Sequence, residues 1–172
     1  MGQRDPSSDL PLSLDLAHLE SLIARPVLTP EARRFLYDER RISPGVVRAM
    51  GISSISQDTP TRGDGSGGWF LAPALLIPYR DIDGRLVSVQ SRYLGSDGKP
   101  RFLFPRGSHC RIYNIQTVRG IGRSEALYIT EGVTDCLAVQ SFGRKAVAIP
   151  SATMLREDDI APRHRPCLPS AP

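Results

Sequence analysis

Ala126-Leu-Tyr-Ile-Thr-Glu-Gly-Val-Thr-Asp-Cys-Leu-Ala-Val-Gln-Ser-Phe-Gly143, followed two residues later by Ala146-Val-Ala-Ile149, is the stretch that decides the fold. Residues 126–130 form a short apolar run without alternation, the pattern of a strand buried on both faces. Glu131-Gly132 ends that run, and Val133, Cys136, Leu137 and Val139 to Phe142 recur as one apolar helix face. Gly143 stops the helix, and residues 146–149 read as a second buried strand. Residues 124–153 number 30, the size of one strand-helix-strand unit with parallel strands.

Upstream the pattern is different. Residues 1–12 form a loose arm, and after Ser13 as N-cap, Leu14, Leu16, Leu19, Leu22 and Ile23 recur at helical spacing. Thr29-Pro30-Glu31 starts a second helix that runs to about Arg40, and Ser43-Pro44 starts a short one ending at Gly51. The Gln57 to Gly68 segment, QDTPTRGDGSGG, is a flexible loop by composition. Residues 69–79 and 85–94 flank the turn Asp81-Ile-Asp-Gly84 and read as a hairpin, with short strands at 102–104 and 111–113. The expected organisation is an N-terminal arm and helix (1–28), a basic antiparallel subdomain (29–123), a partial α/β unit (124–160) and an irregular tail (161–172). The fold class is α+β overall: N-terminal helices and a basic antiparallel sheet, then a partial, Rossmann-like parallel sheet.

Forty per cent apolar and 23% charged residues suit a packed core, which excludes wholesale disorder and a disulfide scaffold. No apolar run reaches the roughly 20 residues of a membrane helix, and no signal-peptide core follows the start, so a cytoplasmic chain without membrane contact is expected. Cys110, Cys136 and Cys167 lie far apart, no C-x-x-C occurs, and His18, His109 and His164 are isolated; no zinc site is expected. The net charge of +4 conceals its distribution. Residues 85–123 hold eight basic side chains and one acid, Asp97, a net +7, leaving the rest at −3.

Two groups can carry chemistry. Glu131 and Asp135, spaced E-G-x-x-D, fall at the carboxyl end of a parallel strand and in the first turn of a helix, where open α/β sheets bind ligands. Gly132 lets the chain turn there. Two such acids can hold Mg²⁺ together with water and phosphate oxygens; equally, Asp135 can serve only the helix dipole, with Glu131 a polar strand end. Arg92, Lys99, Arg101, Arg106 and Arg111, interleaved with Tyr93, Phe102, Phe104 and Tyr113, can pair with phosphates and stack on bases. The alternative is that the rings are core and the arginines a solvated face.

Residues 126–143 with 146–153 resemble the opening of a Toprim domain in bacterial-type DNA primases: strand, E-G-x-x-D, helix, second strand and a Ser-Ala-Thr turn. In order upstream, residues 77–87, 91–94, 99–103 and 111–115 are similar to the basic subdomain of primase catalytic cores, and residues 32–52 to their entry. The resemblance covers about residues 29–155. It implies RNA primer synthesis on a single-stranded DNA template from nucleoside triphosphates, with Mg²⁺, or Mn²⁺ in its place. Glu131 would be the catalytic acid, Glu131 and Asp135 the metal ligands, and Arg92, Lys99, Arg101, Arg106 and Arg111 the nucleic-acid groove, with a replicative helicase as a further partner. The family's D-x-D pair after a third strand has no counterpart; adjacent Asp158-Asp159 does not supply it. The chain therefore reads as a core cut after the second strand. An inactive remnant that still binds single strands, and a Toprim-type nuclease, remain as alternatives.

Overall fold

The computed structural model describes residues 15–24, 26–56, 70–105, 108 and 112–149. The N-terminal arm, Ser13, the loop at 57–68, Arg106, Arg111, the segment at 155–160 with Asp158-Asp159, and the tail lie outside the described residues.

Helix α1 (Leu16–Ile23) is capped by Asp15, whose Oδ1 accepts from the His18 N–H at 2.9 Å, so the described cap lies later than the predicted Ser13. Helix α2 (Pro30–Arg33) starts as its sequence requires, with Thr29 as cap and Pro30 in the first turn. It runs on into a π-helical turn (Arg34–Glu39) closed by Arg40 N–H donating to the Phe35 carbonyl at 3.0 Å. Helix α3 (Pro44–Ala49) ends at Gly51, whose φ of +65° favours glycine.

Strands β1 (Ser53–Ile55), β2 (Ala74–Arg80), β3 (Leu86–Tyr93) and β4 (Phe102–Leu103) form an antiparallel sheet in that order. The β2–β3 turn is built by Asp81, whose Oδ1 accepts from the Asp83 and Arg85 N–H groups, each at 2.9 Å, while Gly84 takes φ +83°. Alternation along β2 gives the sheet two covered faces. Ala74 and Leu76 pack with Leu19 and Ile23 of α1 and with Ile55 and Phe70. Leu75, Ile77 and Tyr79 enter a larger core with Phe35, Leu36, Ile42, Val47, Tyr113 and Leu137.

Strands β5 (Leu127–Thr130) and β6 (Lys145–Ala148) are parallel neighbours joined through helix α4 (Val133–Ser141). Two expectations are corrected here. Tyr113 does not join the basic sheet: its N–H and carbonyl pair with Ala148 at 2.8 and 3.2 Å, adding a bridge to the far edge of β6. Nor is β5 buried on both faces, because Tyr128 and Ile129 are exposed, Ile129 by 67%. Among the described residues only β6 pairs with β5, so an apolar run that could serve a central strand stands at a sheet edge. The architecture is α+β, and the two sheets share the larger core.

Candidate nucleic-acid and metal site

Glu131 and Asp135 flank the turn between β5 and α4, and both are exposed. The Thr130 hydroxyl pins that turn, lying 3.0 Å from the Gly132 carbonyl and 3.3 Å from that of Val147. Gly132 is extended, with φ −139° and ψ 145°, a conformation open to any residue, so its role is not the sharp turn expected of it. What it supplies is room. A Cβ there would stand 3.3 Å from Asp135 Oδ2. Gly143, in contrast, has φ +71° and ends α4 in the left-handed region.

Among the described residues neither carboxylate has a hydrogen-bonding or ionic partner, and no group of three metal-ligating side chains occurs. Two free acids on one turn, one accommodated by a missing Cβ, suit one partly hydrated Mg²⁺. Behind them Cys136 is buried, and that burial pushes its thiol up to about 11. Its side chain belongs to the larger core.

The basic residues divide sharply by environment. Arg92 lies on β3 opposite Leu75 and is buried at 9% exposure, with its guanidinium carbon 3.7 Å from the centre of the Phe35 ring. Phe102, its neighbour in register on β4, is half-exposed at 5.8 Å. Arg40, from the end of the π-helical turn, approaches the same Phe35 ring at 5.5 Å. Burial, followed by the charges of Arg40 and Arg101, lowers Arg92 to about 10, so it stays charged at neutral pH. Lys99 instead is exposed and tied to Asp97 at 2.7 Å, an interaction that raises its pKa and lowers that of the acid. Arg101, whose carbonyl accepts from the N–H of Tyr93 next to Arg92, lies near enough for the two charges to oppose each other, while Lys99 is neutralised by the block's one acid.

The rings expected to interleave are mostly core. Tyr93 and Tyr113 are buried, and Phe104 packs edge-on against Tyr79 at 5.1 Å; Phe102 alone of the four is exposed.

No protein-family model matches the sequence, and neither does any curated protein. Solved structures do match. The RNA polymerase domain of Mycobacterium tuberculosis primase DnaG, in complex with a double-stranded DNA oligomer carrying a 6-nucleotide overhang, superposes with a TM-score of 0.63. Identity is 18%, over 84% of this chain and 55% of that one. The Aquifex aeolicus primase, comprising zinc-binding and RNA polymerase domains, gives 0.57 at 20% identity, over 70% and 36% of the two chains. A DnaG catalytic domain bound to single-stranded DNA gives 0.52 at 19%, over 78% and 53%. This chain has a primase-like fold. It spans between 36% and 55% of the length of these three structures.

Within the primase-like fold, sequence reasoning missed Phe35 and Arg40. The motif 32–43 was legible as an entry helix, but a ring beneath an arginine of a distant strand leaves no local signal. In the sequence Ser88, Gln90 and Arg92 alternate with Val87 and Val89 and read as a solvated row, and only the structure shows that row buried.

Proposed function

We propose that this chain supplies the core of a primer-synthesising nucleotidyltransferase, holding single-stranded DNA on its basic sheet and presenting Glu131 to the reacting phosphates of a nucleoside triphosphate. The observation that carries this reading is the shared core. Phe35 and Leu75, next to Arg92, belong to the same buried cluster as Val133 and Leu137 behind the Glu131 turn, so cationic grip and acidic turn are held by one packed body.

Arg92 and Arg101 offset phosphate charge and fix the strand through planar, two-pronged hydrogen bonding. Glu131, exposed and unpaired among the described residues, either ligates the cation or takes the proton of the attacking hydroxyl. That hydroxyl forms a bond to the α-phosphorus, and pyrophosphate leaves. Mg²⁺ or Mn²⁺ bound by Glu131 and Asp135 would supply charge neutralisation at the transferring phosphate. The primase structures in complex with DNA support the binding half of the reading.

One observation favours a second reading, a chain that binds single strands without synthesis: the described residues bring together two acids and no third. Primer synthesis separates the two. Incubated with a single-stranded template, labelled nucleoside triphosphates and Mg²⁺ or Mn²⁺, the chain is expected to yield short RNA, and Glu131→Gln to lower the yield at least 100-fold, a loss of about 3 kcal/mol in transition-state stabilisation. Binding of the template with no incorporation under either cation would establish the second reading, and full activity in Glu131→Gln would remove the catalytic assignment.

A further inference from the structure

The turn that carries Glu131 is held from both sides and not at its centre. Before it, the Thr130 carbonyl accepts from the Ile149 N–H at 2.9 Å, which continues the ladder between β5 and β6. After it, the Gly132 carbonyl accepts from the Cys136 N–H at 3.1 Å, the first bond of α4. Among the described residues the backbone of Glu131 itself makes no hydrogen bond, and Gly132, the N-cap of the helix, has no side chain with which to cap.

One side chain spans that gap. The Thr130 hydroxyl lies 3.0 Å from the Gly132 carbonyl and 3.3 Å from the Val147 carbonyl of β6, and it has one proton to donate. One of these acceptors begins the helix and the other belongs to the sheet, so the hydroxyl ties α4 to β6 across Glu131. At this half-buried strand end valine would have the same shape and an equal preference for extended backbone, without the cost of placing a hydroxyl there. The bond is what distinguishes threonine. Glu131 in turn is exposed, and no side chain among the described residues orients its carboxylate. Its place is therefore set by the direction of its Cα–Cβ bond, which the peptides on either side fix.

We propose that Thr130 is a positioning residue for Glu131: its hydroxyl holds the Gly132 peptide against the sheet and so sets the Glu131 carboxylate relative to Asp135 in the first turn of α4. This rests on the reading of Glu131 and Asp135 as ligands of a divalent cation. Groups that orient a metal ligand from behind are worth about 10–100-fold in metal affinity.

The test uses the full chain and Mn²⁺ alone, read by the electron paramagnetic resonance of the free ion, with urea midpoints alongside. Thr130→Val removes the hydroxyl and keeps the shape, whereas Thr130→Ser keeps the hydroxyl. Thr130→Val is expected to weaken Mn²⁺ about tenfold, and Thr130→Ser to bind within about twofold of wild type. The loss of one hydrogen bond should lower the urea midpoint of Thr130→Val by less than about 1 M. Glu131→Gln lowers affinity on its own, and in that background Thr130→Val is expected to add less than about twofold, because the hydroxyl acts through the missing carboxylate. Three results overturn the positioning role while leaving Glu131 a ligand: undiminished binding by Thr130→Val, an equal loss in Thr130→Ser, or the full further loss in the Glu131→Gln background. A midpoint of Thr130→Val lowered by more than that limit also overturns it, by assigning the hydroxyl to the fold. If wild type and Glu131→Gln bind Mn²⁺ equally, the cation reading falls and this inference with it.

Discussion

Two glycines separate space from conformation at the scale of single residues. Gly132 adopts an ordinary extended backbone and is needed only because Asp135 Oδ2 lies 3.3 Å from where a Cβ would stand. Gly143 has open space around its Cα but a φ of +71°. Gly132→Ala is therefore expected to change stability by less than about 0.5 kcal/mol, because the exposed Asp135 side chain can swing aside, yet to weaken divalent-cation binding by displacing that carboxylate. Gly143→Ala should cost about 1 kcal/mol and leave cation binding alone. Denaturant melts and Mn²⁺ titration of both variants give the two readouts; a stability loss in Gly132→Ala matching that in Gly143→Ala would show a conformational role after all. From sequence both positions read as turn glycines. Spacing located them, and only the backbone angles show that they act by different physics.

Elements were legible where one local rule decided them and misread where pairing decided them. Pro30 and Pro44 preset helix starts, Asp81 and Gly84 set a hairpin turn, and these appear where predicted. The π-helical widening at residues 34–39 has no composition of its own, so the approach of Arg40 to Phe35 was invisible. Strand β5 was misread because an apolar run reports a strand's demand for cover and says nothing of whether cover is supplied. Comparing one of its central residues with a buried residue of β2 makes that testable. Ile129→Thr, at a site 67% exposed, should shift stability by less than about 0.5 kcal/mol. Ile77→Ala, at a site 1% exposed in β2, should cost about 2–5 kcal/mol. Urea midpoints of the two variants decide it: a large loss for Ile129→Thr would mean that this face is covered in solution, by a further segment or by another molecule.

At the scale of the molecule, Tyr113 joins what the chain order separates. Its backbone extends the parallel sheet at Ala148, while its ring, fully buried, meets Tyr79 of the antiparallel sheet edge-on at 5.3 Å. The hydroxyl is enclosed without a hydrogen-bond partner among the described residues, and burial raises its pKa well above the usual phenol value, so it remains neutral. Ring and hydroxyl thus contribute with opposite sign. Tyr113→Phe keeps the aromatic contact and removes an unsatisfied polar atom, and should leave stability unchanged or raise it by about 1 kcal/mol. Tyr113→Ala opens a cavity between the sheets and should cost about 3–5 kcal/mol. The location of that loss matters more than its size. Because Leu75, Ile77 and Tyr79 share one core with Tyr113, Leu137 and Ala146, hydrogen exchange should quicken in β2 and in β6 together. Exchange that quickens in β6 while β2 keeps its protection would mean that the two sheets open independently. The cationic grip and the acidic turn would then lack the fixed spacing that the proposed joint handling of a DNA strand and a nucleoside triphosphate requires.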